Sequence, residues 1–388
     1  MGVPSAFVPV GLPVREYLLV CLTAAAVTFL ITGVIRLFAI KVGAVAHPRQ
    51  RDVHVKPMPR MGGIAIFIGV LAGMLLAFRL PVLSRAFEYS NDIIAVIVAG
   101  AVIVMIGGLD DRFELDSLTK LAGQVTAAGI LVLYGVQWFF FWVPWGGVDG
   151  GVGSLLSLSD NQGGVLTVLL AVAMINAMNF VDGLDGLAAG IGLISALAIW
   201  AFSMTLLEDV VAYPPALIAA TLAGGCLGFL PYNFQPAKLF MGDSGSMLIG
   251  LMLVAASTTA SGRIDYSRYG GSDALALLSP LVVVAAVLFL PMLDLIMAVI
   301  RRTRRGQSPF SADKMHLHHR LLEIGHSQRR AVLLIYLWAG VLAFGAVALT
   351  LFEPVVVGWG MGIALIVVVV TSAIPRLRAK RRKQESAG

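Results

Sequence analysis

The sequence predicts an all-α polytopic membrane protein, and three observations carry that prediction. Hydrophobic residues make up 58% of the 388 positions and charged residues only 13%, with a mean hydropathy of +0.89. Adding the 42 glycines raises the apolar or weakly polar share to roughly 69%, against ~45–50% in a soluble domain. So little charge cannot cover a water-facing surface of this size, which excludes a soluble globular enzyme. The apolar residues also come in runs near the ~20 needed to cross a ~30 Å hydrocarbon core, instead of the ~10-residue alternating segments of a membrane barrel. Finally, the intervening loops are too short to hold a soluble domain. Cys21 and Cys226 both fall inside apolar runs, so no disulfide framework is implied.

Charge clusters and turn residues delimit about eleven transmembrane helices, at 17–40, 62–80, 93–109, 118–137, 164–181, 186–206, 212–230, 245–261, 274–300, 331–351 and 355–374. The third and eighth are the shortest. The ninth carries Pro291, expected to bend it because proline removes a backbone donor. The first is too long for a removable signal peptide and lacks its basic leader and small-residue cleavage site. Residues 1–375 thus read as one integral membrane domain and 376–388 as a basic tail, whose RLRAKRRK run suits an anionic inner leaflet. The aromatic stretch from Trp138 to Trp145 reads as an interfacial belt.

An odd number of spans puts the termini on opposite sides. Of the 28 Lys and Arg, only Arg15, Arg79, Arg85, Arg263 and Arg268 fall on the N-terminal side. Basic residues are retained on the cytoplasmic face, so the N-terminus is expected outside and the C-terminus inside. The net charge of +6 is therefore a topology signal, and no nucleic-acid partner is expected.

This topology gathers the polar chemistry on one face. His47, His54, His316, His318, His319 and His326 all fall in cytoplasmic loops, with the carboxylates Asp110, Asp111, Glu114, Asp116, Asp182, Asp185 and Asp243. Ionisable groups at membrane depth are costly and tend to be functional, so these loops read as one site. In the first loop, Arg and Lys between prolines precede Gly62-Gly63 and could hold an anionic headgroup; alone, the loop is better explained by charge retention. Adjacent Asp110 and Asp111 repel unless a proton or a hard cation such as Mg²⁺ is present. Lys120 and Gln124 share a helix face, and a lysine at that depth costs less if it meets a phosphate. Asn176, Asn179, Asp182 and Asp185 crowd into ten otherwise oily residues; helix capping is the structural alternative. Asp243, between Gly242 and Gly245 at a helix start, fits either an N-cap or a Mg²⁺ ligand. His316, His318, His319 and Arg320 suggest phosphate recognition over zinc, since no cysteine accompanies them and Lys314 and Arg320 disfavour a divalent cation.

The stretches GLDDRFELDSLTKLAGQ, NAMNFVDGLDGLAAG, NFQPAKLFMGDSGS and SPFSADKMHLHHRL resemble, in order and spacing, the four cytoplasmic signatures of the polyprenyl-phosphate N-acetylhexosamine-1-phosphate transferase superfamily. The HLHHRL form is similar to the WecA/TagO group, and departs from the three-histidine run of the group that transfers phospho-MurNAc-pentapeptide. The resemblance implies transfer of GlcNAc 1-phosphate from UDP-GlcNAc to a membrane polyprenyl phosphate, with Mg²⁺ (Mn²⁺ as a substitute), in a bacterial cytoplasmic membrane with the site on the cytoplasmic side. It implies Asp243 and Asp111 as metal ligands, and Asp110, Asp111, Asp182, Asp185, His316, His318 and His319 as catalytic. Lys120, Asn176, Asn179, Asn233, Phe240 and Arg320 would bind substrate, Asp185 and Phe240 near the nucleotide base. A homodimer is compatible with the sequence. A transporter or flippase for an anionic lipid-linked substrate is the reading from another class; it calls for ionisable residues near the midplane and repeat symmetry, neither of which the sequence displays.

Overall fold

A computed structural model of the chain describes residues 13–46, 57–88, 90–143, 154–206, 213–261, 274–304, 306, 321–322 and 325–385. Each predicted run is a helix. They are α1 (Val14–Val42), α2 (Gly62–Arg79), α3 (Asp92–Phe113), α4 (Ser117–Leu133), α5 (Asp160–Val181), α6 (Leu187–Thr205), α7 (Tyr213–Asn233), α8 (Gly242–Ser261), α9 (Ala274–Arg304), α10 (Gln328–Leu351) and α11 (Pro354–Glu385). Among the described residues, nine of these are long and apolar enough to cross a membrane; the exceptions are α4 and α8. Helix α4 is a shorter apolar helix that begins at an Asp116 N-cap, whose carboxylate accepts from the Leu118 and Thr119 amides at 2.9 and 3.0 Å.

The reason α8 can be less apolar lies in its position. It packs against α2, α3, α5, α6, α7 and α9, so it meets protein on every side and need not be soluble in lipid. Met247 to Ala256 is almost wholly inaccessible, and the hydroxyls at Ser244, Ser246, Ser257, Thr258 and Thr259 are buried with it. In hydrocarbon such groups must find partners inside the protein; Thr259 Oγ1 donates to the Ala255 carbonyl at 2.8 Å. At the other extreme, α11 leans on α10 and exposes Val355, Val356, Trp359, Ile363 and Ile366, the surface of a helix that faces lipid.

Helix α9 runs through Pro291 as one element, and α11 continues through Pro375 to Glu385, so the basic segment prolongs the last helix. Two features depart from the sequence expectation. Two small antiparallel hairpins appear, Val45–Ala46 with Met58–Pro59 and Phe140–Val143 with Ser154–Ser157. Trp138, expected in an interfacial belt, is 3% exposed, and its amide donates to Thr167 Oγ1 at 3.1 Å.

Candidate active site

The polar signatures meet where α8 begins. Close backbone approach makes this possible: a Cβ at Gly63 would stand 2.1 Å from the Gly245 nitrogen, and one at Gly107 would stand 2.4 Å from Ser244 Cα. The ends of α2 and α3 can therefore press against the first turn of α8. The first loop is tied in by its backbone, since Phe240 N–H donates to the Pro59 carbonyl at 2.9 Å while Gly62 and Gly63 donate to the Phe240 and Met241 carbonyls at 3.2 and 3.0 Å.

Asp111, in the last turn of α3, is spent on holding this junction. Its Oδ1 accepts from the Asp243 amide at 2.8 Å, and its Oδ2 from the Ser244 amide at 3.3 Å and the Ser244 hydroxyl at 2.8 Å. A helix start carries unpaired N–H groups and a partial positive charge, so a buried carboxylate there is satisfied twice over. Gly242 has φ +73°, and a Cβ would lie 2.4 Å from the Asp111 carboxylate. The sequence assigns Asp111 to metal and acid–base work; in the structure its carboxylate also anchors the start of α8.

Asp110 and Asp243 face each other across a lysine. Lys120 Nζ, from the first turn of α4, lies 2.7 Å from Asp110 Oδ2 and 3.0 Å from Asp243 Oδ2. Asp110 Oδ1 accepts from the Leu115 amide at 2.7 Å. Asp243 Oδ1 accepts from Asn179 Nδ2 at 2.9 Å, and that amide also reaches Ser246 Oγ at 3.1 Å. Asn176, one turn earlier on α5, donates to Gln124 Oε1 at 2.7 Å and to the Val172 carbonyl at 2.8 Å. Thus Asn179 touches the carboxylate pocket, and Asn176 braces α5 against α4.

Asp182 caps the C-terminal end of α5, half-buried beside the pocket. Burial, followed by the negative charges of Asp243 and Asp111, pushes its carboxyl up to about 8; Arg60 of the first loop partly offsets them. Asp185 and Asn233 serve a neighbouring clamp, while Phe240 meets the first loop through its backbone. Asp185 Oδ2 accepts from the Ala237 amide at 3.0 Å, Asn233 Oδ1 accepts from the Gly186 amide at 3.1 Å, and Asn233 Nδ2 donates to the Leu239 carbonyl at 3.1 Å. Tyr336 of α10 donates to the Gly186 carbonyl. These bonds fix the 233–240 loop against the start of α6 and so set where α8 begins.

His316, His318, His319 and Arg320 lie outside the described residues. Sequence reasoning missed Ser244 and Ser246; the available signal was a pair of hydroxyls one and three residues beyond Asp243, where a helix start needs hydrogen-bond partners. Among the described residues, no group of three or more His, Cys, Asp or Glu side chains is arranged to hold a metal ion. The nearest approach to such chemistry is the Asp110–Asp243 pair.

The fold and the site define a multi-pass membrane protein with charged-group chemistry at one end of its central helix. Comparison with known proteins gives its family. Residues 93–261 match the family described as glycosyl transferase family 4. The decaprenyl-phosphate N-acetylglucosaminephosphotransferase of Mycolicibacterium smegmatis is 58% identical over 95% of this chain and 90% of its own length. The protein of the same name from Mycobacterium tuberculosis H37Rv is 58% identical over 95% and 91%. The undecaprenyl-phosphate alpha-N-acetylglucosaminyl 1-phosphate transferase of Escherichia coli K12 is 28% identical over 79% and 77%. The chain belongs to glycosyl transferase family 4.

Proposed function

We propose that this protein transfers N-acetylglucosamine 1-phosphate from UDP-GlcNAc to a membrane polyprenyl phosphate, releasing UMP and forming polyprenyl-diphosphate-GlcNAc, the first lipid-linked step of a cell-envelope glycopolymer. The observation that carries this reading is the convergence of Asp110, Lys120, Asn179 and Asp243, from three distant signatures, into one pocket at a helix end. The names of the mycobacterial and Escherichia coli relatives support the same donor group and acceptor class. The one-sided distribution of Lys and Arg supports a pocket on the cytoplasmic face of the bacterial inner membrane.

The chemistry suits such a pocket. A phosphate monoester has a second pKa of ~6, so the acceptor already carries its attacking oxyanion at neutral pH and needs no strong base. The difficulty is to bring two anions together for an in-line displacement, which calls for positioning and charge neutralisation. Lys120 supplies a positive charge at the pocket, and Asn179 supplies amide hydrogens. Asp111 keeps the first turn of α8 in place, so Asp243 is presented in a fixed direction. His316, His318, His319 and Arg320 would bind the diphosphate or the sugar.

The donor set fits Mg²⁺, with Mn²⁺ as a substitute. Asp110 and Asp243 offer hard oxygen ligands, and a cationic group, Lys120, already touches both. Asp243 and Asp110 would hold the ion, and when bound it supplies neutralisation of the diphosphate.

The test is to incubate the purified protein with UDP-GlcNAc, polyprenyl phosphate and Mg²⁺ and to measure UMP. Release that requires both the acceptor and the divalent cation is expected; no UMP under these conditions overturns the assignment.

A further inference from the structure

Lys120 at rest is bound to the protein's own carboxylates, at 2.7 and 3.0 Å. The Asp110 and Asp243 Oδ2 atoms thus lie against one and the same ammonium, and like charges that close repel unless a cation or a proton intervenes. The ammonium supplies that cation. Mg²⁺ binds oxygens at ~2.1 Å with near-octahedral demands, so it cannot share these two Oδ2 atoms with an ammonium already in contact with both. The other oxygens of Asp110, Asp243 and Asp111 are each already hydrogen-bonded. Asp110 Oδ1 is held by Leu115 N–H, Asp243 Oδ1 by Asn179, and both Asp111 oxygens by the start of α8. The lysine, by contrast, is able to leave: its side chain is 30% exposed, and a flexible four-carbon stem carries a point charge with three rotatable donors.

We propose that Lys120 is an exchangeable counter-ion, which holds the Asp110–Asp243 pair together in the substrate-free protein, yields its place to the incoming divalent cation, and re-pairs with a phosphate oxygen of the nucleotide sugar. The inference rests on the reading that these two carboxylates hold the cation. It makes cation and diphosphate binding cooperative. A cation alone must break two ion pairs, whereas a cation arriving with a diphosphate gives the displaced ammonium a new partner. Such coupling is reciprocal, each ligand raising the affinity for the other by the same factor.

The experiment follows the Lys120 amine itself. The purified full-length chain in detergent is treated with an amine-acylating reagent, and the rate at Lys120 is read by mass spectrometry without additions, with saturating Mn²⁺, and with Mn²⁺ plus UDP-GlcNAc. Mn²⁺ binding is followed in parallel by electron paramagnetic resonance. Slow labelling alone, several-fold faster labelling with Mn²⁺, and protection again with Mn²⁺ plus UDP-GlcNAc are expected. In Lys120→Met, Mn²⁺ alone should bind about tenfold more tightly; wild-type labelling keeps the test intact if that variant does not fold. Mn²⁺ binding to the wild type with no change in Lys120 labelling overturns the exchange while leaving the cation site standing. No Mn²⁺ binding to either protein overturns the cation site and the exchange together.

Discussion

Asp185 and Asp243 each sit beside a glycine at the start of a helix, and from sequence the two look alike. In the structure their surroundings differ in kind. Asp185 is 3% exposed and accepts from a backbone amide, with Asn233 bonded to backbone on both sides of its carboxamide. Asp243 has a side chain 23% exposed, and its oxygens are bound by two side chains, Lys120 and Asn179. A bond to a backbone amide is released only if the loop moves, whereas a bond to a lysine is given up by rotation about the side chain. The bonds of the first pocket run to backbone and those of the second to side chains that can rotate away; hydrogen-bond partners, and not residue type, separate the two surroundings.

The sharpest way to break that contrast is Asp243→Asn. It keeps the shape and the Asn179 contact and removes the charge, so turnover is expected to fall on the order of 10²–10³-fold while thermal stability stays near wild type. Wild-type turnover in this variant would move Asp243 to the scaffold side. The mirror experiment acts on the other pocket. Asn233→Ala and Asp185→Ala leave buried backbone groups unsatisfied, at about 1–3 kcal/mol each, and should lower the Tm, with turnover per folded molecule changing less than tenfold. An inactive Asp185→Ala with an unchanged Tm would place Asp185 against substrate and erase the distinction.

The same contrast marks what a sequence can disclose. Eleven apolar runs are visible because hydrocarbon tolerates few alternatives, and each run became a helix. The exposed face of α11 and the enclosed position of α8 are not visible, because both segments are predominantly apolar; the serines and threonines of α8 hint at protein surroundings only once its neighbours are known. At the site, Lys120, Asn179 and Asp243 stand out as polar groups in oily stretches, and the structure brings them together. The anchoring contact of Asp111 was not legible. It depends on the start of α8, 132 residues away, and adjacent carboxylates carry no sign of which one turns toward a helix end. Trp138 failed for a similar reason, since its partner Thr167 lies across a loop.

Asp182, at the end of α5, gives the mildest test, one read as a slope against pH. Burial and the negative charges of Asp243 and Asp111 raise its carboxyl to about 8, from ~3.9 in an unfolded chain. The folded protein therefore keeps a proton that the unfolded chain releases. The stabilisation from the neutral form is complete below about pH 4, diminishes as the pH rises from about 4 to about 8, and is exhausted above that. Asp182→Asn is neutral at every pH. Without divalent cations, its Tm should match wild type near pH 4 and exceed it by a few degrees at pH 8. Parallel Tm curves across this range would mean that Asp182 is already ionised in the folded state and that the charge of the Asp243 pocket does not reach the end of α5. Combined with Asp243→Asn, the divergence should shrink, because one of the charges that holds the proton on Asp182 is gone; an undiminished divergence would assign the shift to burial and the remaining carboxylates, without Asp243.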